Sequence, residues 1–113
     1  MSLWSECIRE RQGHEVIEEP WGFIEYHMAP PYCVIDDLYV IPEERLKGLG
    51  RDLADRVTQI ARDAGATHLW SNIYGNSLNK NETLKANLAY GFLWQGIDGG
   101  RIILTKDIGG SNG

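Results

Sequence analysis

The sequence predicts a single α/β domain in which helices flank one sheet, and three observations carry this prediction. Short runs rich in β-branched and aromatic residues are separated by proline and glycine turns, which is typical of strands. Apolar residues between Leu53 and Ala64 recur at helical spacing, which predicts an amphipathic helix. That helix lies between β-type runs at residues 33–41 and 67–74. Since a strand–helix–strand unit joins parallel strands through a right-handed crossover, we expect a parallel pair inside the sheet.

Three strands are predicted in the first half of the chain, side by side in sequential order. Residues 14–18 and 21–27 form an antiparallel hairpin around Pro20. The third strand, residues 33–41, ends at Pro42, because proline cannot donate a hydrogen bond to a sheet ladder.

The helix after the third strand is the clearest element of the sequence. It opens around residues 48–50 and extends for about 16 residues, to Gly65 at the position of a helix C-cap. After the strand at 67–74, a polar loop leads to a short helix over residues 82–89, which Gly91 ends.

The two ends of the domain complete the prediction. Residues 92–96 and 101–106 are the last two strands, joined by a turn that contains glycine. Residues 3–12 fit either a short helix or a strand. We assign residues 1–108 to one domain and expect residues 109–113 to form a flexible tail.

Charge and composition argue against several classes of function. The net charge of −5 disfavours a general nucleic-acid surface, which would be basic, and is compatible with a cationic partner such as an amine. No run of 18 apolar residues is present, so neither a membrane span nor a membrane partner is expected. The first residues also lack the apolar region of a signal peptide. Two cysteines make no disulfide framework, so we expect reduced thiols in a cytoplasmic protein, with Cys33 in the core rather than acting as a nucleophile.

The histidines give no sign of a metal site. His14, His27 and His68 lie far apart in the sequence, and no cysteine or histidine has metal-ligand spacing. We expect each histidine to be structural or exposed, and we expect no bound metal.

The loop between the third strand and the long helix has the chemistry of a phosphate site. Its sequence is R-x-x-G-x-G, from Arg45 to Gly50. Gly48 and Gly50 let a ligand approach the backbone, and the amides of the first helical turn together with the helix dipole favour an anion. The dinucleotide motif G-x-G-x-x-G is excluded because position 53 is Leu53, and the Walker motif is excluded because Gly50 precedes Arg51 and not Lys-Ser/Thr.

The longer string VIPEERLKGLGRDL, residues 40–53, resembles the coenzyme A-binding motif of the GNAT superfamily of N-acetyltransferases. The acidic pair Asp36–Asp37 is similar to the strand sequence of small amine acetyltransferases. Residues 79–81 correspond to the family's Asn-bearing loop, and residues 86–92 lead into its Gly-Phe strand. The likeness extends over residues 14–106.

The resemblance implies a mixed, mostly antiparallel sheet with a central parallel pair that splays apart where the pantetheine arm docks, between residues 38–40 and 69–73. It implies acetyl-CoA as the co-substrate and a primary amine, either a small amine or a protein or peptide lysine, as the acceptor. The residues that it assigns to coenzyme A binding are Leu38, Tyr39, Val40, Arg45, Leu46, Lys47, Gly48, Leu49, Gly50, Arg51, Asn79 and Asn81.

Acetyl transfer to an amine needs a base, because only the neutral amine attacks. Asp36 and Asp37 are the carboxylates nearest the expected splay. Adjacent strand residues face opposite sides, so we expect one of them to face the acceptor, and we favour Asp36. Asp37 is the alternative and Glu25 a third candidate, and both aspartates can instead be structural acids at a strand edge.

The family pattern does not assign the general acid in this chain. Many members carry a tyrosine where this chain has Asn87. Tyr90 or Tyr74 can replace it, or the thiolate can leave without an acid.

About 13 residues precede the first confident strand, which is too few for the strand and two helices that usually wall the acceptor site. We therefore expect a short form of the GNAT domain with an open acceptor face, completed by a second subunit in a homodimer or left open for a macromolecular acceptor. The alternatives to an enzyme are a coenzyme A-binding module without turnover and a protein-interaction module on the same scaffold.

Overall fold

The computed structural model describes residues 2–75 and 80–109 as one mixed α/β fold. Six strands form a single sheet, and three α-helices pack against it. The elements in chain order are α1 (Leu3–Gln12), β1 (Glu15–Glu19), β2 (Gly22–Ala29), β3 (Tyr32–Val40), α2 (Leu49–Asp63), β4 (His68–Tyr74), α3 (Lys80–Tyr90), β5 (Leu93–Asp98) and β6 (Arg101–Asp107), with a short 3₁₀ turn at Pro42–Glu44.

The strand order is β1-β2-β3-β4-β6-β5. Within the described residues β3 and β4 are the one parallel pair, and every other neighbouring pair is antiparallel. The predicted hairpin, the sequential order of the first three strands and the central parallel pair are therefore confirmed. β6 lies between β4 and β5, because the tight turn at Gly99 and Gly100 folds the last strand back toward the middle of the sheet.

The core lies between α2 and one face of the sheet. Apolar side chains from α2 meet those of β2, β3 and β4, and each fully buried aliphatic side chain contributes about 1.5–3 kcal/mol. The central members of this cluster are Ile24, Tyr26, Cys33, Leu53, Val57, Ala61 and Leu69. Ile60, part of the predicted apolar stripe of α2, is 40% exposed, because the contact surface of the helix is narrower than its apolar face.

Residues 3–12, which the sequence leaves open between helix and strand, form helix α1. Ser2 caps the helix by accepting a hydrogen bond from the Ser5 amide at 3.1 Å, and Gly13 ends it with φ of +70°. Trp4 packs edge-on against Phe23 of β2 with ring centroids 4.6 Å apart. Because Phe23 alternates with the core residue Ile24, α1 covers the face of the sheet opposite to α2.

Helix α3 begins at Lys80 and ends where Gly91 takes φ of +108°. Leu84 packs against the core, whereas Leu88, one turn further along the helix, is 47% exposed. Among the helices of the described segments, none combines the length and apolar character needed to cross a bilayer. Four residues of the predicted C-terminal tail, 110–113, lie outside the described residues.

Candidate functional site

The loop before α2 is held in place by its own side chains. The Arg45 guanidinium donates from Nε to the carbonyl oxygen of Val40 at 2.8 Å and lies over the Tyr39 ring at 5.4 Å. Lys47 pairs with Glu44 at 3.0 Å in the exposed loop. The Arg45 contacts tie the loop to the end of β3.

The first turn of α2 presents backbone amides above the end of β3. Gly48 is the N-cap with φ of +80°, and no described side chain caps the helix. A Cβ added at Gly50 would stand 3.7 Å from Leu38 and 3.8 Å from Val40, which are ordinary contact distances. The amides of this turn therefore lie close to β3, where the helix dipole favours an anion.

Strands β3 and β4 separate next to this turn. Their parallel pairing runs from Tyr32 opposite His68 to Ile35 opposite Ser71, and beyond Ile35 strand β3 pairs only with β2. The predicted splay is present on β3 at residues 38–40. On β4 it begins after Ser71, so the predicted boundary at Leu69 is wrong, because Leu69 still pairs with Cys33.

A β-bulge places both aspartates on one face of the sheet. Glu25 pairs with Asp37 and Tyr26 pairs with Ile35, which leaves Asp36 as the extra residue of β3. The prediction that strand alternation sends Asp36 and Asp37 to opposite faces is wrong, since the bulge interrupts the alternation. Asp36 turns toward His27, and Asp37 stands opposite Glu25, both on the face away from α2.

Two histidines and two carboxylates form a connected group on that face, which we call the histidine–carboxylate cluster. His14 Nδ1 lies 2.6 Å from Glu25 Oε2 and 3.3 Å from Asp36 Oδ2. His27 Nδ1 lies 2.7 Å from the same oxygen of Asp36. The two imidazole rings stack with centroids 4.3 Å apart and planes inclined by 8°.

The cluster was missed by the sequence analysis, which treated the histidines as separate. The hairpin carries the signal that could have found it. β1 and β2 pair Glu15 with Tyr26, and continuing this register by one residue places His14 opposite His27. His68 stays apart, as expected, with its Nδ1 2.8 Å from the Thr67 hydroxyl.

The pKa of Asp37 is displaced from its ordinary value. Desolvation by the surrounding protein raises its pKa, and the charge of Glu25 adds to this effect. The Leu38 amide, which donates to Asp37 Oδ1 at 2.9 Å, acts in the opposite direction.

Tyr90 is engaged on α2 rather than at the cluster. Its hydroxyl donates to Asp55 at 2.6 Å and lies 3.2 Å from the Thr58 hydroxyl. Burial and the hydrogen bond to Asp55 raise the pKa of Tyr90. Arg51 and Lys106 lie over its ring, so its contacts are with α2 and β6.

The remaining candidates occupy different surroundings. Asn87 donates to the Thr83 carbonyl within α3 at 2.8 Å. Tyr74 is exposed at the end of β4, and Asn81 is exposed in the first turn of α3. Asn79 lies outside the described residues. Cys33 is buried in the core as predicted, and burial raises the pKa of its thiol to about 11.

Comparison with protein families decides which fold family this arrangement represents. The sequence model of the Acetyltransferase (GNAT) family matches residues 5–81, which is well over half of the chain. The chain belongs to the GNAT family. The resemblance predicted from residues 40–53 is thereby confirmed. No curated protein sequence matches the chain.

Solved structures share this GNAT fold. The PaiA N-acetyltransferase of Thermoplasma acidophilum in complex with coenzyme A is 20% identical with a TM-score of 0.74, over 93% of this chain and 69% of that one. An acetyltransferase of Bacillus subtilis in complex with coenzyme A is 17% identical with a TM-score of 0.68, over 90% of this chain and 82% of that one. Nourseothricin acetyltransferase is 27% identical with a TM-score of 0.67, over 77% of this chain and 57% of that one. Family membership and these coenzyme A complexes support an acetyltransferase that uses acetyl-CoA.

Proposed function

We propose that this GNAT protein transfers the acetyl group of acetyl-CoA to a primary amine. One observation carries the proposal, the opening between β3 and β4 directly beneath the uncapped first turn of α2. An anionic group can bind at the helix terminus while a narrow arm enters the opening, and a pyrophosphate followed by pantetheine has that shape.

The donor half of the site consists of the loop and the β3 edge. The backbone of Leu46 to Arg51 would hold the pyrophosphate, with the charges of Lys47 and Arg51 adding attraction. Arg45 contributes by fixing the loop onto Val40. The free edge of residues 38–40 would pair with the amides of pantetheine and hold the acetyl carbonyl, where a backbone amide can stabilise the oxyanion.

The acceptor half lies on the opposite face. Donor phosphates on the α2 side leave the face of Asp36 and Asp37 for the incoming amine. The amine loses a proton, its nitrogen attacks the thioester carbon, and the thiolate of coenzyme A departs. Tyr90 could protonate that thiolate only by exchanging its hydrogen bond to Asp55, so unassisted departure is the simpler route. Asn79 and Asn81 remain proposed contacts of the coenzyme.

The acceptor is either a small amine or a lysine of a protein or peptide. Helix α1 covers the sheet over β1 and β2, and within the described residues no helix lies over the same face of β3 and β4. We propose that this open face admits the acceptor directly or is completed by a second copy of the chain.

Titration calorimetry with acetyl-CoA tests the donor site. We expect saturable binding that Gly50→Glu abolishes, because the new carboxylate would occupy the anion site while its Cβ fits without strain. The matched control is Leu3→Glu, which adds the same charge at an exposed position of α1 and should bind as the native chain does. Absence of binding by the native chain, or equal binding by the Gly50 variant, would refute the donor site.

A second candidate function is a coenzyme A-binding module without turnover. It is favoured by Asn87 at the family's tyrosine position and by the engagement of Tyr90 with Asp55. Mass spectrometry of reactions with a polyamine, an aminoglycoside and a lysine peptide separates the two functions. Acetylated product supports the enzyme, whereas binding of acetyl-CoA with no product from any acceptor supports the binding module.

A further inference from the structure

The histidine–carboxylate cluster lies beside the opening of the sheet. Asp36 directly follows Ile35, the last β3 residue that pairs with β4. Glu25 and His27 alternate along β2 with the core residues Ile24 and Tyr26, so the cluster occupies the face opposite to α2. This is the face from which the acceptor amine enters in the proposed function, and the inference rests on that function.

Hydrogen bonding fixes the tautomer of both imidazoles. An ionised carboxylate only accepts hydrogen bonds, so Nδ1–H of His27 donates to Asp36 and Nδ1–H of His14 donates to Glu25. In the neutral ring the proton is then on Nδ1, and Nε2 carries the lone pair. A carboxylate that orients an imidazole in this way prepares Nε2 to accept a proton.

The imidazoles are better suited than the carboxylates alone to accept a proton at neutral pH. A carboxylic acid ordinarily has a pKa near 4, whereas that of an imidazole is about 6.5. General-base catalysis is most effective when the pKa of the base lies near the working pH. An amine acceptor is mainly protonated at neutral pH, so the reaction needs a group that retains useful basicity there.

We infer that His27 and His14 take up the proton that the acceptor ammonium loses, and that Asp36 and Glu25 position them. The N–H bond of the ammonium breaks and its proton passes to an imidazole Nε2, directly or through one water. The freed nitrogen lone pair then forms the C–N bond as the C–S bond breaks and its electron pair leaves on the thiolate. The nitrogen loses a second proton as it becomes the amide, and this proton neutralises the departed thiolate through solvent. The imidazolium returns the proton to solvent, so the base is regenerated.

The stacking of the rings distinguishes this role from a shared metal site. Nitrogen lone pairs lie in the plane of the imidazole ring, and the two planes are nearly parallel at a centroid distance of 4.3 Å. One ion cannot lie in both planes without rotation of a ring. Hydrogen bonds at 2.6 and 2.7 Å account for the geometry as it stands.

Other charged groups also set the pH response of the cluster. Asp37 of β3 stands opposite Glu25, and Arg9 of α1 pairs with Glu15, the neighbour of His14, at 3.2 Å.

Asparagine variants of the histidines test the inference. His14→Asn combined with His27→Asn keeps amide donors for Glu25 and Asp36 but removes the titrating rings. We expect kcat/KM for the amine to fall about 100-fold at neutral pH. The loss should shrink as the pH rises and more free amine is present, with no change in the dissociation constant of acetyl-CoA. His68→Asn is the matched control and should retain native activity, because His68 lies outside the cluster.

The positioning role of the carboxylates needs a separate readout. Asp36→Asn and Glu25→Gln should displace the acid limb of the pH–rate profile, which a purely structural role would leave in place. Nitrogen NMR of the native protein should show both neutral imidazoles with the proton on Nδ1, and this measurement needs no acceptor.

Three results would overturn the inference. These are native kcat/KM in the double asparagine variant, imidazoles protonated on Nε2, and activity that a chelator abolishes and zinc restores. A native chain that binds no acetyl-CoA would instead refute the proposed function. The NMR measurement would then still show whether Asp36 and Glu25 hold the imidazoles with the proton on Nδ1.

Discussion

Several side chains around the opening form hydrogen bonds that do not match the roles the sequence predicts for them. The sequence predicts Arg45 as a phosphate ligand, but its Nε donates to the Val40 carbonyl, so in the proposed function it would act on the phosphates through the loop. Tyr90 looks like a mobile acid but donates to Asp55. Asp36, expected to act alone, shares one carboxylate oxygen between two imidazoles. Individual roles therefore follow from partners that lie far away in the sequence.

Replacing Tyr90 by phenylalanine separates its structural and catalytic roles. The change removes the hydroxyl bonded to Asp55, and we expect unfolding free energy to fall by about 0.5–1.5 kcal/mol. If the thiolate leaves unassisted, kcat stays within about twofold of the native value. Urea denaturation and steady-state kinetics measure the two effects, and a kcat loss of 100-fold or more would instead make Tyr90 the acid.

The raised pKa of Asp37 predicts a pH-dependent stability. The folded chain binds the Asp37 proton more tightly than the unfolded chain does. The contribution of Asp37 to the unfolding free energy therefore declines as the pH rises from its ordinary pKa of 3.8 through the raised pKa of the folded chain. Asp37→Asn removes the cost of desolvating a charged carboxylate and keeps an acceptor for the Leu38 amide. We expect a higher Tm than native at neutral pH and a smaller difference below pH 3.8. A lower Tm at neutral pH would contradict the prediction.

At the scale of elements, the loop and α2 form one unit whose two glycines have different tasks. Gly48 adopts φ of +80°, which other residues reach only with strain, whereas Gly50 has no positive φ and a Cβ there would only touch Leu38 and Val40 at ordinary contact distances. The backbone conformation therefore requires glycine at Gly48, whereas any need for glycine at Gly50 would come from the proposed ligand.

Alanine substitutions test this division. Gly48→Ala should cost about 1–2 kcal/mol of unfolding free energy because of the positive φ. Gly50→Ala should be neutral or stabilising by up to about 1 kcal/mol, because alanine favours the helix. Chemical denaturation of both variants measures the difference, and equal effects at the two positions would show that the backbone of Gly48 is not constrained.

At the scale of the whole molecule, the end of the parallel pair sets where the sheet opens. β3 is bound to β4 at one end and only to β2 at the other, so half of the sheet diverges under α2. In the proposed function, donor and acceptor would reach this opening from opposite faces, so neither substrate would block the other.

Hydrogen exchange can locate the donor in the intact protein. Acetyl-CoA should slow exchange of the amides at residues 38–40 and in the first turn of α2, because the ligand would accept their hydrogen bonds. The amides of β1, which pairs with β2 at the far edge of the sheet, serve as the internal reference. Protection at β1 with none at residues 38–40 would place the ligand elsewhere.

The sequence by itself determined the features that depend on neighbouring residues. Helical periodicity from Leu53 to Ala64, the glycines of the loop and Pro42 at the strand end are local signals, and they predicted α2, the anion site and the parallel pair. The family motif extends this local sequence and predicted the fold and the donor site together; the fold is confirmed, and the donor site stays a prediction.

Only the tertiary structure decided how the side chains are arranged on the proposed acceptor face. The bulge at Asp36 arises from how β3 pairs with β2, and it places Asp36 and Asp37 on one face where opposite faces were expected. The stacking of His14 on His27 and the bond from Tyr90 to Asp55 likewise join segments distant in sequence. Such contacts are fixed by register and packing across the sheet, so no local pattern of residue types could specify them.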